Sequence, residues 1–572
     1  WVVRRDEAAA RLLGLSQLAQ RLFAPLLEGQ PGLRVAWVAV DVTLAMIRGM
    51  IADRLVEETW VDWRRLDHED FRAWLRRHGA SAEAVTSSTV NGVYAGAYMA
   101  DQEMGAGTGL HWTLRMLYTY RGSIFYKMQA GMGDVVFAPL FLVLRRRGVK
   151  FRFFHRADAL RLSADRSRVE EVVFGRPIGV RGGGEYEPLY EVDGLPCWPS
   201  EPLYEQLEEG DALAASGEDL EEWGTRWEDR LPPRVLRAGQ DFDRVVLGVG
   251  LGAVPALCPE MMVDPGNPRF AAMVQAVKTT ATVSAQLWLR DDLAATGWEL
   301  PPPVLIPYAE PLDTWADMSH LLPRERFPAP GLARSCAYLT AALDDDEAPP
   351  LGREEAAGYS TRQLARVRAA TERFLDESSA HLWPALQRPG GGFDRRRLYA
   401  PEGAGDALGW QHHSPLLNPS DRYVRSVRGS TAARLDPGES GYANLVLCGD
   451  WTATPMNLGC VEGATASGMR AAQVISGAAI PIHDDWLGAC RPGRAPAPTR
   501  GRPRYIQRAL NESTSPPYEA RATAMYAALL RADAGRLGEL CDRRLGLHPE
   551  RRYVPLGHAA VFYAQDNRAL SA

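Results

Sequence analysis

Lysine is the scarcest resource in this sequence: three residues, at 127, 150 and 278, among 65 basic side chains that are otherwise all arginine. Chemistry that needs a lysine amine has only those positions, because a guanidinium stays protonated and cannot replace it. The seven cysteines, at 197, 258, 336, 448, 460, 490 and 541, form no CxxC and no close pair at ligand spacing. That excludes a zinc ribbon or a disulfide framework and leaves reduced, buried thiols. No Gly-x-Ser-x-Gly nucleophile elbow occurs. No G-x-G-x-x-G occurs either; GAGTGL at Gly105–Leu110 and GAGDALG at Gly403–Gly409 are nearest, neither follows a strand-like run, and both read as loops. A net charge of −6 offers no basic surface, so nucleic acid is excluded as a partner. The longest apolar run, Val135–Leu144, predicts no transmembrane span and leaves only peripheral membrane contact open.

What is present points elsewhere. A chain of 572 residues, 46% apolar and 24% charged, is ordinary globular material and long enough for two or more domains. Asn444–Gly477 reads NLVLCGDWTATPMNLGCVEGATASGMRAAQVISG. Leu445–Cys448 is a buried strand in pattern, Gly449-Asp450 breaks it, and a helix from about Val461 is closed by Gly477. Gly463, Ala464, Ser467, Gly468, Ala471 and Ala472 leave one side of that helix without bulk, so a backbone or a flat ligand can come close. Its free N–H groups and positive dipole end face the turn.

Two more patches share this character. Met128–Leu162 reads as a glycine loop (Gly131-Met132-Gly133-Asp134), a helix Val135–Arg147, a stop at Gly148, and a strand Val149–His155 continuing toward Leu162. Phe242–Pro255 is a strand followed by Gly248, Gly250 and Gly252, whose G-x-G-x-G spacing is not a nucleotide fingerprint. Between the patches run long excursions. They contain a strand Ala281–Leu289 without lysine, a helix Thr361–Leu375, and an adjacent His412-His413 pair with no acidic or cysteine partner at ligand spacing, so no metal site is expected. His111, His155 and His320 are isolated and read as structural groups. No catalytic residue is assigned.

The Gly449–Gly468 block, with Gly449, Asp450, Thr452, Asn457, Gly459, Glu462, Gly463, Ala464 and Gly468, resembles the C-terminal flavin-binding motif of the FAD-dependent amine oxidase and phytoene desaturase superfamily. The resemblance implies an α/β fold: an FAD-binding Rossmann-like domain of the two-dinucleotide-binding-domain flavoprotein type, in pieces at about 126–165, 240–256 and 440–480. An interleaved α+β substrate domain would use 1–125, 166–239 and 257–439. It implies FAD contacts at Gly449, Asp450, Trp451, Thr452, Asn457, Gly459, Cys460, Val461, Glu462, Gly463 and Ala464. Asp450 would lie at the ribityl-pyrophosphate portion and Val461–Ala464 at the pyrimidine side of the ring. The GGM-like loop adds Gly131, Met132 and Gly133, the adenine side falls near Ala157, and the glycines after the Phe242 strand would let the chain pass close to the cofactor. The family's N-terminal βαβ unit is missing; the start at Trp1, without Met, reads as a cut, and weak FAD retention by residues 1–572 is the expectation. Amine oxidases of the superfamily commonly place a lysine near flavin N5. Lys278 lies just outside the corresponding strand and Lys127 beside the glycine loop, so the resemblance favours the desaturase and dehydrogenase-like branch. That branch implies hydride removal from a fairly apolar small molecule, an unspecified electron acceptor, and a cytoplasmic or membrane-associated setting; a flavin amine oxidase and a non-catalytic flavin-fold scaffold are the alternatives. After a Pro/Gly/Arg linker at 491–504, Tyr505–Ala572 resembles the start of an acetoacetate decarboxylase-like domain, through Pro516-Pro517-Tyr518, Met525-Tyr526, a helix Leu537–Leu545 and a strand Ala559–Ala564.

Overall fold

The computed structural model describes residues 31–55, 61–97, 103–119, 126–325, 333–343 and 353–482, the helical positions 11, 14 and 18, and two short strands near the C-terminus. The chain divides into a unit Trp1–Ala495 and a unit Pro496–Ala572. In the second, Tyr553–Leu556 pairs antiparallel with Ala560–Tyr563, inside the strand expected over Ala559–Ala564. The expected linker, the helix at Leu537–Leu545 and the 516–518 and 525–526 motifs lie outside the described residues.

The first unit opens with helices. Helix α1 (Pro31–Ala52) buries Val42, Ala45 and Met46 together with two charges, Asp41 and Arg48. Those charges dock it: Asp41 Oδ2 accepts from Ser81 N at 2.9 Å and Arg48 Nε donates to His78 O at 2.7 Å. Its Gly32–Ala52 stretch is long and apolar enough to cross a membrane, with 39% of its apolar 18-residue window buried. Arg34, Asp41 and Arg48 divide its apolar residues into short runs, so no uninterrupted apolar run marks it in the sequence. Helix α2 (Phe71–Arg77) is capped by Asp70, whose Oδ1 accepts from Arg72 N and Ala73 N. Helix α3 (Ala106–Tyr118) overturns the loop reading of Gly105–Leu110. Its glycines serve close packing: a Cβ on Gly107 would lie 2.0 Å from Trp63 O, and one on Gly109 2.6 Å from the Phe71 ring.

The next stretch begins with one wide turn, Gly133–Phe137, and helix α4 (Ala138–Arg146), ended by Gly148 at φ 87°. The strand expected over Val149–His155 is not formed. Phe151 and Phe153 turn instead onto Phe141, with ring centroids 4.6 and 6.1 Å away, and Phe154 takes φ 56°, which a strand does not tolerate. Strand β1 (Arg156–Leu162) starts only after it and joins β2 (Val169–Arg176) and β3 (Leu231–Arg237) in an antiparallel sheet. Strand β4 (Val245–Leu247) follows. A Cβ on Gly250 or Gly252 would meet the carbonyls of Ser420 or Pro419 at 1.9 and 2.2 Å, so these two glycines admit another stretch of backbone, not a cofactor.

Helix α5 (Pro268–Ala276) leads into β5 (Thr279–Leu289), the centre of a six-stranded sheet. β6 (Thr314–Asp317) and β7 (Ser335–Leu343) lie to one side of it, β8 (His412–Leu416) pairs on the other, and helix α6 (Arg353–Arg373) packs against β8 and β5. The helix expected at Thr361–Leu375 lies in α6 and the turn after it. Leu287, Leu339, Trp315, Phe374 and Trp383 form this core. Finally β9 (Leu445–Leu447) returns parallel to β4 in the register Leu445↔Val245, and helix α7 (Val461–Ser476) follows. All three β9 residues are buried, as a parallel strand covered on both faces requires. The result is a mixed α/β fold.

Candidate functional site

The stretch from β9 to α7 is a turn held by its own small polar groups. Gly449 has φ 143°, and a Cβ there would strike the Trp451 ring at 2.4 Å, so only glycine fits. Ser467, on α7, accepts from Gly449 N at 3.0 Å and shares a 2.8 Å hydrogen bond with Thr452 Oγ1, which also reaches Gly449 O at 2.9 Å. Asn457 sits at φ 51°; its N–H donates to Thr454 Oγ1 at 2.9 Å, and its Oδ1 accepts from Thr454 N at 3.2 Å. Cys460 is the helix N-cap: extended, with Sγ accepting from Gly463 N at 3.2 Å. Gly477 closes the helix at φ 70° and donates to Gln473 O at 2.8 Å.

This geometry separates the expected contact residues into two groups. Trp451, Thr452, Asn457, Gly459 and Gly463 are buried in protein. Trp451 Nε1 donates to Val249 O at 3.0 Å, and a Cβ on Gly459 would meet Val424 O at 2.7 Å. Gly449, Asp450 and Cys460 are partly accessible, and Val461, Glu462 and Ala464 are exposed on the first turn of α7, Val461 to 48%. The first-turn N–H groups of Val461 and Glu462 have no acceptor within the helix, whereas those of Gly463 and Ala464 are taken by Cys460 Sγ and Cys460 O. Among the described residues nothing else accepts from them, so the open surface presents these donors and the positive end of the helix dipole.

Beneath the turn lies Arg434, 5% exposed. It donates to Asp450 O at 2.6 Å, Arg425 O at 3.2 Å and Thr452 O at 3.5 Å, while its Nε is buried without an acceptor. Burial brings its pKa down to about 10, so it is charged at neutral pH. Burial raises the carboxyl of Asp450 against the pull of Arg434, and also that of Asp67, which accepts from Ala432 N at 3.0 Å. The Cys460 thiol is pushed up to about 12 by burial. Tyr423 is raised by burial and donates its hydroxyl proton to Gly459 O. Arg434, Asp67 and Tyr423 escaped the sequence reading because none lies in a recognisable pattern; they meet only through long-range packing.

The remaining expected residues gather elsewhere. Gly131 O accepts from Asp134 N at 2.9 Å, and Asp134 Oδ1 accepts from Trp198 N at 3.0 Å. Met132 is exposed, and Gly133 lies against the Trp198 ring. A cavity of 160 Å³ lies between Gly131, Asp134, Cys197, Arg324 and Glu325. Ala157 is in β1 opposite Phe174, at the far end of the hairpin from the turn that reaches Ala443 and Asn444. Among the described residues, no hydrogen bond joins Gly131–Gly133 or Ala157 to the 449–464 turn. All three lysines are engaged or outward: Lys127 Nζ donates to Asp317 O at 2.5 Å, Lys278 Nζ to Gln275 O at 2.6 Å, and Lys150 is exposed. His412 and His413 lie in β8 with pKa values lowered by burial, and the described residues hold no cluster of metal ligands. His111 stacks on Trp63 at 4.9 Å, and His320 Nε2 is 2.7 Å from Met128 O.

The family model for flavin containing amine oxidoreductase matches residues 233–476, which span β4, the six-stranded sheet, the 449–464 turn and α7. No curated protein matches the chain. Among solved structures, an oxidoreductase from Methanosarcina mazei is similar at 11% identity and a TM-score of 0.39, over 71% of this chain and 68% of that one. A putrescine oxidase double mutant with redesigned cofactor binding is similar at 11% identity and a TM-score of 0.39, over 77% and 76%. The family match supports the flavin amine oxidase superfamily and makes the protein an FAD-dependent oxidoreductase with FAD as its cofactor. The turn suits that group: it combines a backbone broken at Gly449, free helix N–H donors and a buried cation.

Proposed function

We propose that FAD lies against Gly449-Asp450 and the first turn of α7, and that the enzyme removes hydride from a C–C or C–N bond of a fairly apolar small molecule, as a desaturase or dehydrogenase does. When bound, FAD accepts the hydride and passes the electrons to oxygen, a quinone or another acceptor. The residues of this chain bind, orient and exclude water. The Val461 and Glu462 N–H groups would offer hydrogen bonds to its pyrimidine edge, Asp450 would serve the ribityl-pyrophosphate portion, and Gly131–Gly133 with Ala157 would border the rest of the cofactor. The 126–165, 240–256 and 440–480 segments form the cofactor side, and the sheet around β5 forms the substrate side.

The observation that carries the desaturase-like reading is the fate of the lysines. β5 contains none, Lys278 turns back onto Gln275 O, and Lys127 is held by Asp317. A lysine-assisted amine oxidation has no amine to use there. The experiment is anaerobic: bleaching of bound flavin by an apolar alkene or polyene supports this reading. The description of the matched family favours a second reading, an amine oxidase; peroxide release with polyamines or aromatic amines, without bleaching by apolar substrates, would install it. Cytoplasmic residence with peripheral membrane contact belongs to the same proposal, since apolar substrates partition into bilayers.

A further inference from the structure

We infer that Arg434 is the positioning residue of the flavin site: it holds the Asp450–Thr452 backbone and sets a fixed positive potential beneath the cofactor that favours reduced over oxidised FAD. The inference rests on the cofactor placement proposed above.

Arg434 is buried, yet among the described residues it forms an ion pair with no carboxylate. Its acceptors are three main-chain carbonyls, of Asp450, Arg425 and Thr452, and its Nε has none. Removing a charge from water without an ionic partner is costly, and dipoles compensate it only in part. The nearby acids act only through space: Asp450 and Asp67 attract the Arg434 charge without forming an ion pair with it among the described residues, and Asp67 Oδ2 accepts from Ala432 N. The contrast with Arg470 is direct: that residue supports the same helix through a carboxylate, Asp436, at 3.0 Å. If Arg434 only held the loop, a paired ion or a neutral amide would do so at lower cost.

A second source of positive potential converges on the same place. The first turn of α7 presents the unclaimed N–H groups of Val461 and Glu462 and the positive end of a 16-residue helix dipole. Arg434 lies under the backbone joining β9 to that helix and pulls on the carbonyls of Asp450 and Thr452, so its charge and the loop geometry are coupled. Electrons arriving on a group above this turn meet a preorganised positive field that needs no reorganisation. The side chain that shapes the loop also biases the electron affinity of what the loop holds.

The test uses the FAD-loaded full chain and three variants, Arg434→Lys, Arg434→Gln and Arg470→Gln, with the flavin midpoint potential and FAD dissociation constant as readouts. Arg434→Gln keeps a donor and loses the charge; it is expected to lower the preference for reduced over oxidised FAD by at least tenfold, a potential more negative by about 30 mV for a two-electron couple. Arg434→Lys keeps the charge and is expected to stay within about threefold of wild type, about 15 mV. Arg470→Gln is expected to leave the potential unchanged. Equal potentials in Arg434→Gln and wild type, equal shifts in the Lys and Gln variants, or the same shift in Arg470→Gln would each overturn the inference. So would failure of both Arg434 variants to fold, because loop-holding would then account for the residue by itself. The cofactor placement fails separately, if bulk added at Ala464 leaves FAD binding intact.

Discussion

Two neighbouring positions on the first turn of α7 should respond in opposite ways. A Cβ on Gly463 points into protein: 3.1 Å from Leu458 O, 3.3 Å from Cys460 Sγ and 3.5 Å from Asp450 Cβ. Gly463→Ala therefore pushes the Cys460 sulfur off its capping position. Loss of the cap costs about 1 kcal/mol, crowding about 1–3 kcal/mol, and the better helix propensity of alanine returns about 1 kcal/mol. The net expectation is about 1–3 kcal/mol less stability. Ala464 is exposed on the same turn, where Gly463 is buried. Ala464→Leu should change the stability of the cofactor-free protein by no more than about 0.5 kcal/mol. If FAD lies over this turn, however, the added side chain occupies its space, and affinity should fall at least tenfold, about 1.4 kcal/mol. Melting curves of the cofactor-free forms and flavin content after reconstitution read the two effects separately. An Ala464→Leu protein that melts like wild type and holds a full complement of FAD would refute the placement. A Gly463→Ala protein as stable as wild type would refute the packing argument.

Lys278→Met should retain most turnover, because Nζ is exposed and bonded to Gln275 O; a loss of ~100-fold, the size expected for an acid-base group, would move the enzyme to a lysine-assisted mechanism. The helical region should be acid-sensitive through His78, whose pKa burial lowers in spite of Asp53 at 3.1 Å. The unfolded chain binds the proton more readily, so this contribution is full above about pH 6.5 and is lost as pH falls through the lower folded pKa. A His78→Gln protein should show a flatter decline of melting temperature over that window, and an unchanged slope would contradict the assignment. No lysine follows Lys278, so borohydride with acetoacetate should label nothing in residues 505–572; a trapped adduct there would show a nucleophile other than lysine.

Local chemistry made the 449–464 turn legible: strand, glycine break and small-residue helix are written within one stretch of about thirty residues, and β9, Gly449 and α7 lie where that pattern puts them. Glycines were read less well wherever their purpose was tertiary. Gly107 and Gly109 look like loop residues until the Trp63 carbonyl and the Phe71 ring are seen against them, and Gly250 and Gly252 look like a cofactor loop until Pro419 and Ser420 fill the space. The strand expected after Gly148 failed for a related reason. Phe151 and Phe153 have strand propensity, but Phe141 offers their rings a packing partner before any neighbouring strand can pair with them.

Arg434 shows the limit most clearly. It follows Ala432-Ala433 in a stretch without periodicity, 16 residues before Asp450, and nothing in that spacing marks it. Its significance comes from three facts that sequence does not carry: burial, the absence of a carboxylate partner and the carbonyls it holds. Small residues announce where a ligand has room. The charge that would tune the ligand sits behind the backbone, where only the packing of α5, β9 and the segment around Asp67 puts it. The contact surface of a cofactor site is therefore the part a sequence motif can encode, and its electrostatic floor is the part that folding must assemble.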